Sequence, residues 1–401
     1  MPTDATTVPR SRAPRRWPDD PPQGGWYTEA EQAALQEVLA DSLSWQTGWR
    51  GNEHVAAFED AFADKTRAQH AVAFNGGGPA LEMILNCLDL QPGDEVVSCA
   101  MNFVGSHLPV IHQGGTLVLA EPDPLSLNLD PTDVEHRLSQ RTRAILVTHW
   151  NGMAADLRPF LELAQRHPHP RYGPPAVIVD AARACGGTTP AGHPVGCEGW
   201  ATIFSFETKK LMTTLGQGGM VTTNDPALAE RLRRLRTYGG TEQWGTNQQL
   251  TKAQAAVGMV QLRRLDEMNA ARITRAHERS SLLADTPHLT LPPTLSGGQH
   301  LYYRYNLLVP ERWAGAGRTM LMEVLAEQYG LGSIINDRPT YLSHGYIRAH
   351  TQGQSCPRAE LLASRLLCPC LHPQISAANE HEICNAIREA TDTVARTIGT
   401  P

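Results

Sequence analysis

Short aliphatic and β-branched runs recur through the first half of the chain, separated by stretches in which apolar positions return every three or four residues. The runs are Glu95-Val96-Val97-Ser98, Thr116-Leu117-Val118-Leu119, Ala144-Ile145-Leu146-Val147 and Ala176-Val177-Ile178-Val179. Their near-continuous apolar character predicts strands buried on both faces. Helical segments such as Pro131 to Leu138 lie between them. That alternation predicts an α/β fold with a mostly parallel central sheet. Thr28-Glu29-Ala30-Glu31 forms a capping box ahead of Leu35, Val38 and Leu39. Asp225-Pro226 opens a helix carrying Leu228, Leu232 and Leu235, which Gly239-Gly240 ends. Beyond residue 265 the apolar runs thin and proline becomes more frequent. The reading is a disordered Pro/Arg-rich tail over 1–24, a large domain over 25–265 and a smaller C-terminal α/β domain over 266–401.

Composition narrows the function. The 401 residues are 41% apolar and 19% charged with a net charge of −6, which argues against a nucleic-acid or anionic-membrane surface. No apolar run approaches the roughly 18 residues of a membrane span. The Arg15-Arg16 pair is followed by Trp17-Pro18-Asp19-Asp20, not by the apolar stretch of an export signal. Eight cysteines without regular spacing fit a reducing cytoplasm, and Cys368-Pro369-Cys370 reads as buried strand, not as a zinc site. His167 and His169, in a proline-rich loop, read as solvated. Of 35 basic residues only Lys65, Lys209, Lys210 and Lys252 are lysines, so an amine nucleophile has four candidates.

Three segments carry chemistry. In Asn75-Gly76-Gly77-Gly78-Pro79 glycines run into a helix, exposing backbone N–H groups at its positive end as an anion cradle. A plain glycine turn accounts for the same residues. Asp180 ends the strand Ala176–Val179, where ligands of open α/β sheets gather, although a helix N-cap is the commoner use of such an aspartate. Phe204-Ser205-Phe206-Glu207-Thr208-Lys209-Lys210, followed by Gly216-Gln217-Gly218-Gly219, suits a partly desolvated nucleophilic amine. The bland alternative, a surface lysine pair, is weakened by the chain's preference for arginine.

Together these segments resemble the DegT/StrS-type sugar aminotransferases, pyridoxal-phosphate enzymes of fold type I, over most of the chain from Trp26 onward. Further blocks carry the resemblance in the same order. They include Ser42 to Gly48 with Phe58 to Ala63, Gln91-Pro92-Gly93-Asp94, Asn128-Leu129-Asp130-Pro131, His149 to Asp156 and Ala255 to Leu262. The resemblance implies that Lys210 is the Schiff-base lysine and that Asp180 holds the pyridine nitrogen protonated. It implies that Phe103 stacks on the ring, and that Gly77, Gly78 and Ser205 bind the phosphate. Asn247 matches a residue that reaches the phosphate across a dimer interface, so a homodimer with shared sites is implied. Arg183 stands where the family usually has histidine or glutamine over the cofactor's 3′-oxygen; a guanidinium there would lower the pKa of that phenol or bind a substrate carboxylate. Gly78-Pro79 replaces a hydroxyl residue and alanine, and Leu215 is one residue extra.

The implied reaction moves an amino group from glutamate or glutamine to a nucleotide-linked ketosugar or a keto-cyclitol, in antibiotic-type biosynthesis. The implied partners are small molecules and a second copy of the chain, with no nucleic acid, membrane or metal. Two other readings fit the same residues. One is a different pyridoxal-phosphate reaction on an amino acid or amino-nucleoside, with Arg183 as carboxylate anchor. The other is a non-catalytic member acting in regulation or structure.

Overall fold

The computed structural model describes residues 16–46, 48–294 and 297–399. Seven strands form the main sheet: β1 (His70–Phe74), β2 (Glu95–Cys99), β3 (Thr116–Ala120), β4 (Thr142–Thr148), β5 (Ala176–Asp180), β6 (Ala201–Ser205) and β7 (Gly219–Thr223). Their order is β1-β7-β6-β5-β4-β2-β3. β7 runs antiparallel to both neighbours, and the other pairings are parallel. β1, β5 and β6 therefore end on the same edge. The four aliphatic runs are β2 to β5, and β2 and β4 are buried along their whole length. Helices over both faces supply that burial, which is why polar positions do not alternate into these strands.

A second, three-stranded antiparallel sheet is formed by β8 (Leu307–Leu308), β10 (Leu366–Pro369) and β9 (Ser333–Ile334), in the order β8-β10-β9. It lies between two cores: Leu307 and Leu367 pack with Trp313, Leu321, Leu325, Ile383 and Ile387 in a second core, while Leu366 and Cys368 belong to the core of the large sheet. The expected boundary at residue 266 falls inside one continuous helix, Lys252–Leu283, whose Thr251 and Gln254 form a capping box. Residues after it also divide between the two cores. Tyr341, Ile347 and Leu362 pack with the large sheet. Gln354 accepts from Leu119 N–H at 2.7 Å and donates to the Leu117 carbonyl at 2.8 Å, and Glu121 accepts the N–H of Ala359 at 2.8 Å. Apolar density along the chain does not report which core an amphipathic helix joins.

Residues 1–15 lie outside the described set, but 16–24 are not a loose tail. Trp17 is buried in the smaller core, donates to the Gly330 carbonyl at 3.1 Å and accepts from Gly332 N–H at 2.9 Å. Gln23 Nε2 donates to the Leu371 carbonyl at 2.9 Å. Proline-rich composition suggested disorder, yet proline also lowers the entropy lost when an extended strap is laid down, and Trp17 anchors this one. His169 is likewise packed, with its ring 4.9 Å from Tyr172. Cys368 and Cys370 are buried, and among the described residues no group of three metal-ligating side chains converges.

Candidate active site

The shared edge of β1, β5 and β6 opens into a cleft of about 520 Å³, closed on the far side by Tyr303, Arg304 and residues 334–337 of the C-terminal part. The turn after β1 leads into the helix Gly77–Asn86, whose N-cap Gly76 offers no side-chain cap to the first N–H groups. Gly77 sits against β6, where an added Cβ would come within 2.9 Å of Ser205 Cβ. Gly219 of β7 is equally obligatory, since its Cβ would meet the Gly76 carbonyl at 2.5 Å. Gly78, by contrast, faces open space. Free N–H groups, a strand-end hydroxyl and a wall that excludes side chains make a cradle of phosphate character.

Asp180 ends β5 nearly buried. Ser106 Oγ donates to its Oδ2 at 2.6 Å and Ala182 N–H donates to Oδ1 at 3.0 Å. Phe103 precedes the helix Val104–His112 and is 57% exposed, so its ring face is open to a flat ligand. Gly105 is what lets the ring lie there, because a Cβ would meet it at 2.6 Å. Lys210 Nζ stands 6.0 Å from the Phe103 ring centre and 5.3 Å from that of Tyr303. Among the described residues Lys210 forms no ion pair. Lys209 does: its Nζ donates to Asp20 Oδ2 at 2.7 Å, and that hydrogen bond raises its pKa. The structure thus separates two lysines that composition could not.

Arg183 lies in the cleft wall but is not free. Nη2 donates to Asp337 Oδ1 at 3.0 Å, Nη1 pairs with Oδ2 and also reaches Asn336 Oδ1 at 3.3 Å. Burial alone would weaken its charge; Asp337 outweighs that and raises its pKa. The expected roles as carboxylate anchor or phenol contact meet a guanidinium already bidentately engaged. Asn247 is exposed, bridges backbone to Thr237 and does not line the cleft. Leu215, the extra residue, takes a left-handed turn at φ 59° on the surface.

The pattern of the DegT/DnrJ/EryC1/StrS aminotransferase family matches residues 27–388. The chain belongs to this family. It is an aminotransferase. It is 36% identical over 360 residues to the erythromycin biosynthesis sensory transduction protein EryC1 of Saccharopolyspora erythraea, covering 88% of this chain and 91% of that one. It is 34% identical over 369 residues to the dTDP-3-amino-3,4,6-trideoxy-alpha-D-glucose transaminase of Streptomyces venezuelae, covering 90% and 92%. The S. venezuelae DesV structure, in complex with a ketimine intermediate, superposes with a TM-score of 0.82 at 32% identity over 92% of this chain and 99% of that one.

In this family member Gly77, Gly78, Phe103, Asp180, Arg183, Ser205 and Lys210 all line one cleft. Sequence reasoning missed Ser106, Tyr303, Arg304, Asp337 and Asp20. Ser106 had a weak signal, one helical turn after Phe103. The others come from distant segments and had none.

Proposed function

We propose that the chain binds pyridoxal 5′-phosphate in this cleft as a homodimer and moves an amino group from glutamate or glutamine to a nucleotide-linked ketosugar or keto-cyclitol in secondary-metabolite biosynthesis. The donor set fits the cofactor: an uncapped helix start with Ser205 for a phosphate, a carboxylate at a strand end for a ring nitrogen, an open aromatic face, and an amine. Gly77, Gly78 and Ser205 would hold the phosphate, Asp180 the ring nitrogen and Phe103 the ring face. When bound, the cofactor supplies an aldehyde to carry the amino group and a ring that accepts electron density from the substrate's Cα.

The chain's own residues do the rest. Ser106 and the Ala182 N–H aim the Asp180 carboxylate. Lys210 Nζ takes the proton from the donor's Cα and, in the second half of the reaction, delivers one to the acceptor's former carbonyl carbon, which comes to bear the amino group. Tyr303 and Phe103 flank the Lys210 amine. Lys209, bound to Asp20, is held as a cation and is a poor base. Dimerisation is supported by Leu43, Trp45, Tyr238 and Trp244, all exposed apolar side chains, and by the exposure of Asn247. The dTDP-sugar transaminase likeness supports a nucleotide-linked acceptor. The engagement of Arg183 by Asp337 weighs against the carboxylate-anchor reading.

The convergence of Lys210, Asp180, Gly77 and Ser205 in one cleft carries the proposal. Its test is to load the protein with pyridoxal phosphate and add glutamate and glutamine separately. Loss of the visible absorbance with stoichiometric keto acid is expected. No spectral change with either donor would overturn it.

A further inference from the structure

Asp20 reaches the cleft from the N-terminal strap and lies between two cations from different parts of the chain. Lys209, on the loop after β6, donates to Oδ2 at 2.7 Å. Arg304, on the approach to β8, brings Nη2 to 2.5 Å from Oδ1. The Arg304 side chain is 10% exposed, stacks 4.4 Å from the Tyr303 ring centre, and leaves its buried Nε without a partner. The strap then passes directly behind the reacting lysine, because a Cβ on Gly24 would come within 2.6 Å of the Lys210 carbonyl oxygen. A carboxylate of the chain itself therefore occupies a two-cation seat beside Lys210.

Of the other two cleft cations, Lys210 is the amine that the proposed function assigns to the cofactor, and Arg183 is already matched. It is held by Asp337, and no carboxylate other than Asp20 pairs with Lys209 or Arg304 among the described residues. An amino-acid donor brings a carboxylate and a nucleotide-linked acceptor brings phosphate, and each needs cationic hydrogen-bond donors. We propose that Lys209 and Arg304 form the seat for the substrate's oxyanion, a donor carboxylate or an acceptor phosphate, and that Asp20 is a tethered competitor displaced when substrate binds. This rests on the aminotransferase reading. Because Asp20 is tethered, its local concentration is high, and an incoming anion gains only the difference between its own contacts and those it replaces. A ligand that engages both cations with separate oxygens displaces it; an uncharged one has no reason to.

The test titrates glutarate and inorganic pyrophosphate into the pyridoxal-phosphate-loaded protein by calorimetry at low ionic strength. Asp20→Asn keeps the shape and removes the competing charge; at least one probe is expected to bind roughly three- to tenfold tighter. Lys209→Gln, on an exposed loop, is expected to weaken the same probe in either background. A glutarate response assigns the seat to the donor carboxylate, and a pyrophosphate response assigns it to the acceptor. Unchanged affinity in Asp20→Asn, or tightening that survives Lys209→Gln combined with Arg304→Gln, overturns the seat. If the donor half-reaction proceeds while those affinities stay unchanged, only the seat fails. If neither donor reacts, the aminotransferase reading fails first.

Discussion

Ser106 donates its hydroxyl proton to Asp180 Oδ2 at 2.6 Å, joining the first turn of one helix to the end of the central strand β5. With Ala182 N–H on the other oxygen, both Asp180 oxygens are directed before any ligand arrives. Asp180→Asn keeps the shape but loses the charge that would hold a ring nitrogen protonated. A fall of roughly 10²-fold or more in kcat is expected in steady-state assays. Ser106→Ala, which only relaxes the aim, should cost about tenfold at most and leave KM for the donor near its starting value. Near-normal turnover by the Asn variant would remove Asp180 from the mechanism.

Lys210 and Lys209 are neighbours with opposite fates. Borohydride reduction of the loaded protein, followed by peptide mass spectrometry, should find the cofactor on Lys210 alone. Lys210→Ala should lose at least about 10³-fold in turnover, since the base disappears with the amine. Lys209→Ala should still be labelled at Lys210. Label on Lys209 in the unaltered protein reverses the assignment.

The buried pair of Arg183 and Asp337 predicts strong coupling. Either single neutral variant, Arg183→Gln or Asp337→Asn, strands a charge whose partner side chain is 9% or 8% exposed. A loss of roughly 3 kcal/mol in stability is expected for each, by urea unfolding. The double variant should recover much of it. Additive losses would mean that the two side chains do not act as a pair.

Gly77 and Gly78 should respond differently to a side chain. Gly77→Ala drives a Cβ toward Ser205 and should weaken cofactor binding measured by absorbance titration, on the order of tenfold. Gly78→Ser enters open space, restores the hydroxyl common in the family, and should bind the cofactor at least as tightly as the parent. A Gly78→Ser protein that loses cofactor would mean that the cradle is occupied differently.

Acid should destabilise the fold through buried neutral histidines. Burial pushes His107, His149 and His300 down to about 3 from an ordinary 6.5. The unfolded chain takes up these protons below pH 6.5 while the folded chain does not, so stability is present above that pH and lost as pH falls toward 3. Each contributes on the order of 1–2 kcal/mol of loss at pH 5. The urea midpoint should therefore fall between pH 7 and pH 5, and a midpoint that rises instead would contradict it.

Much of the scaffold was legible because its physics is local. Strands β2 to β5 announce themselves by runs with no polar alternation, and the helix caps at Thr28 and Asp225 by residue type. β1 was less visible: His70-Ala71-Val72-Ala73-Phe74 carries small alanines that belong as readily to a helix. Trp17 carries no local signal of order among its prolines, because its pocket is built by residues around Leu331, far along the chain.

Lys210 stood apart from Lys209 only through the family resemblance. The sequence by itself determined the alternating α/β order, a glycine run ahead of a helix and a carboxylate at a strand end. Each depends on spacing within a few residues, which helix and strand periods encode directly. Only the tertiary structure decided that Arg183 is bound to Asp337, 154 positions away, and that Asp20 reaches Lys209 across 189. It alone decided which core the helices after residue 266 join. Ion pairs and core membership depend on distance in space, and a chain's periodicity carries no measure of that until the sheet has brought its ends together.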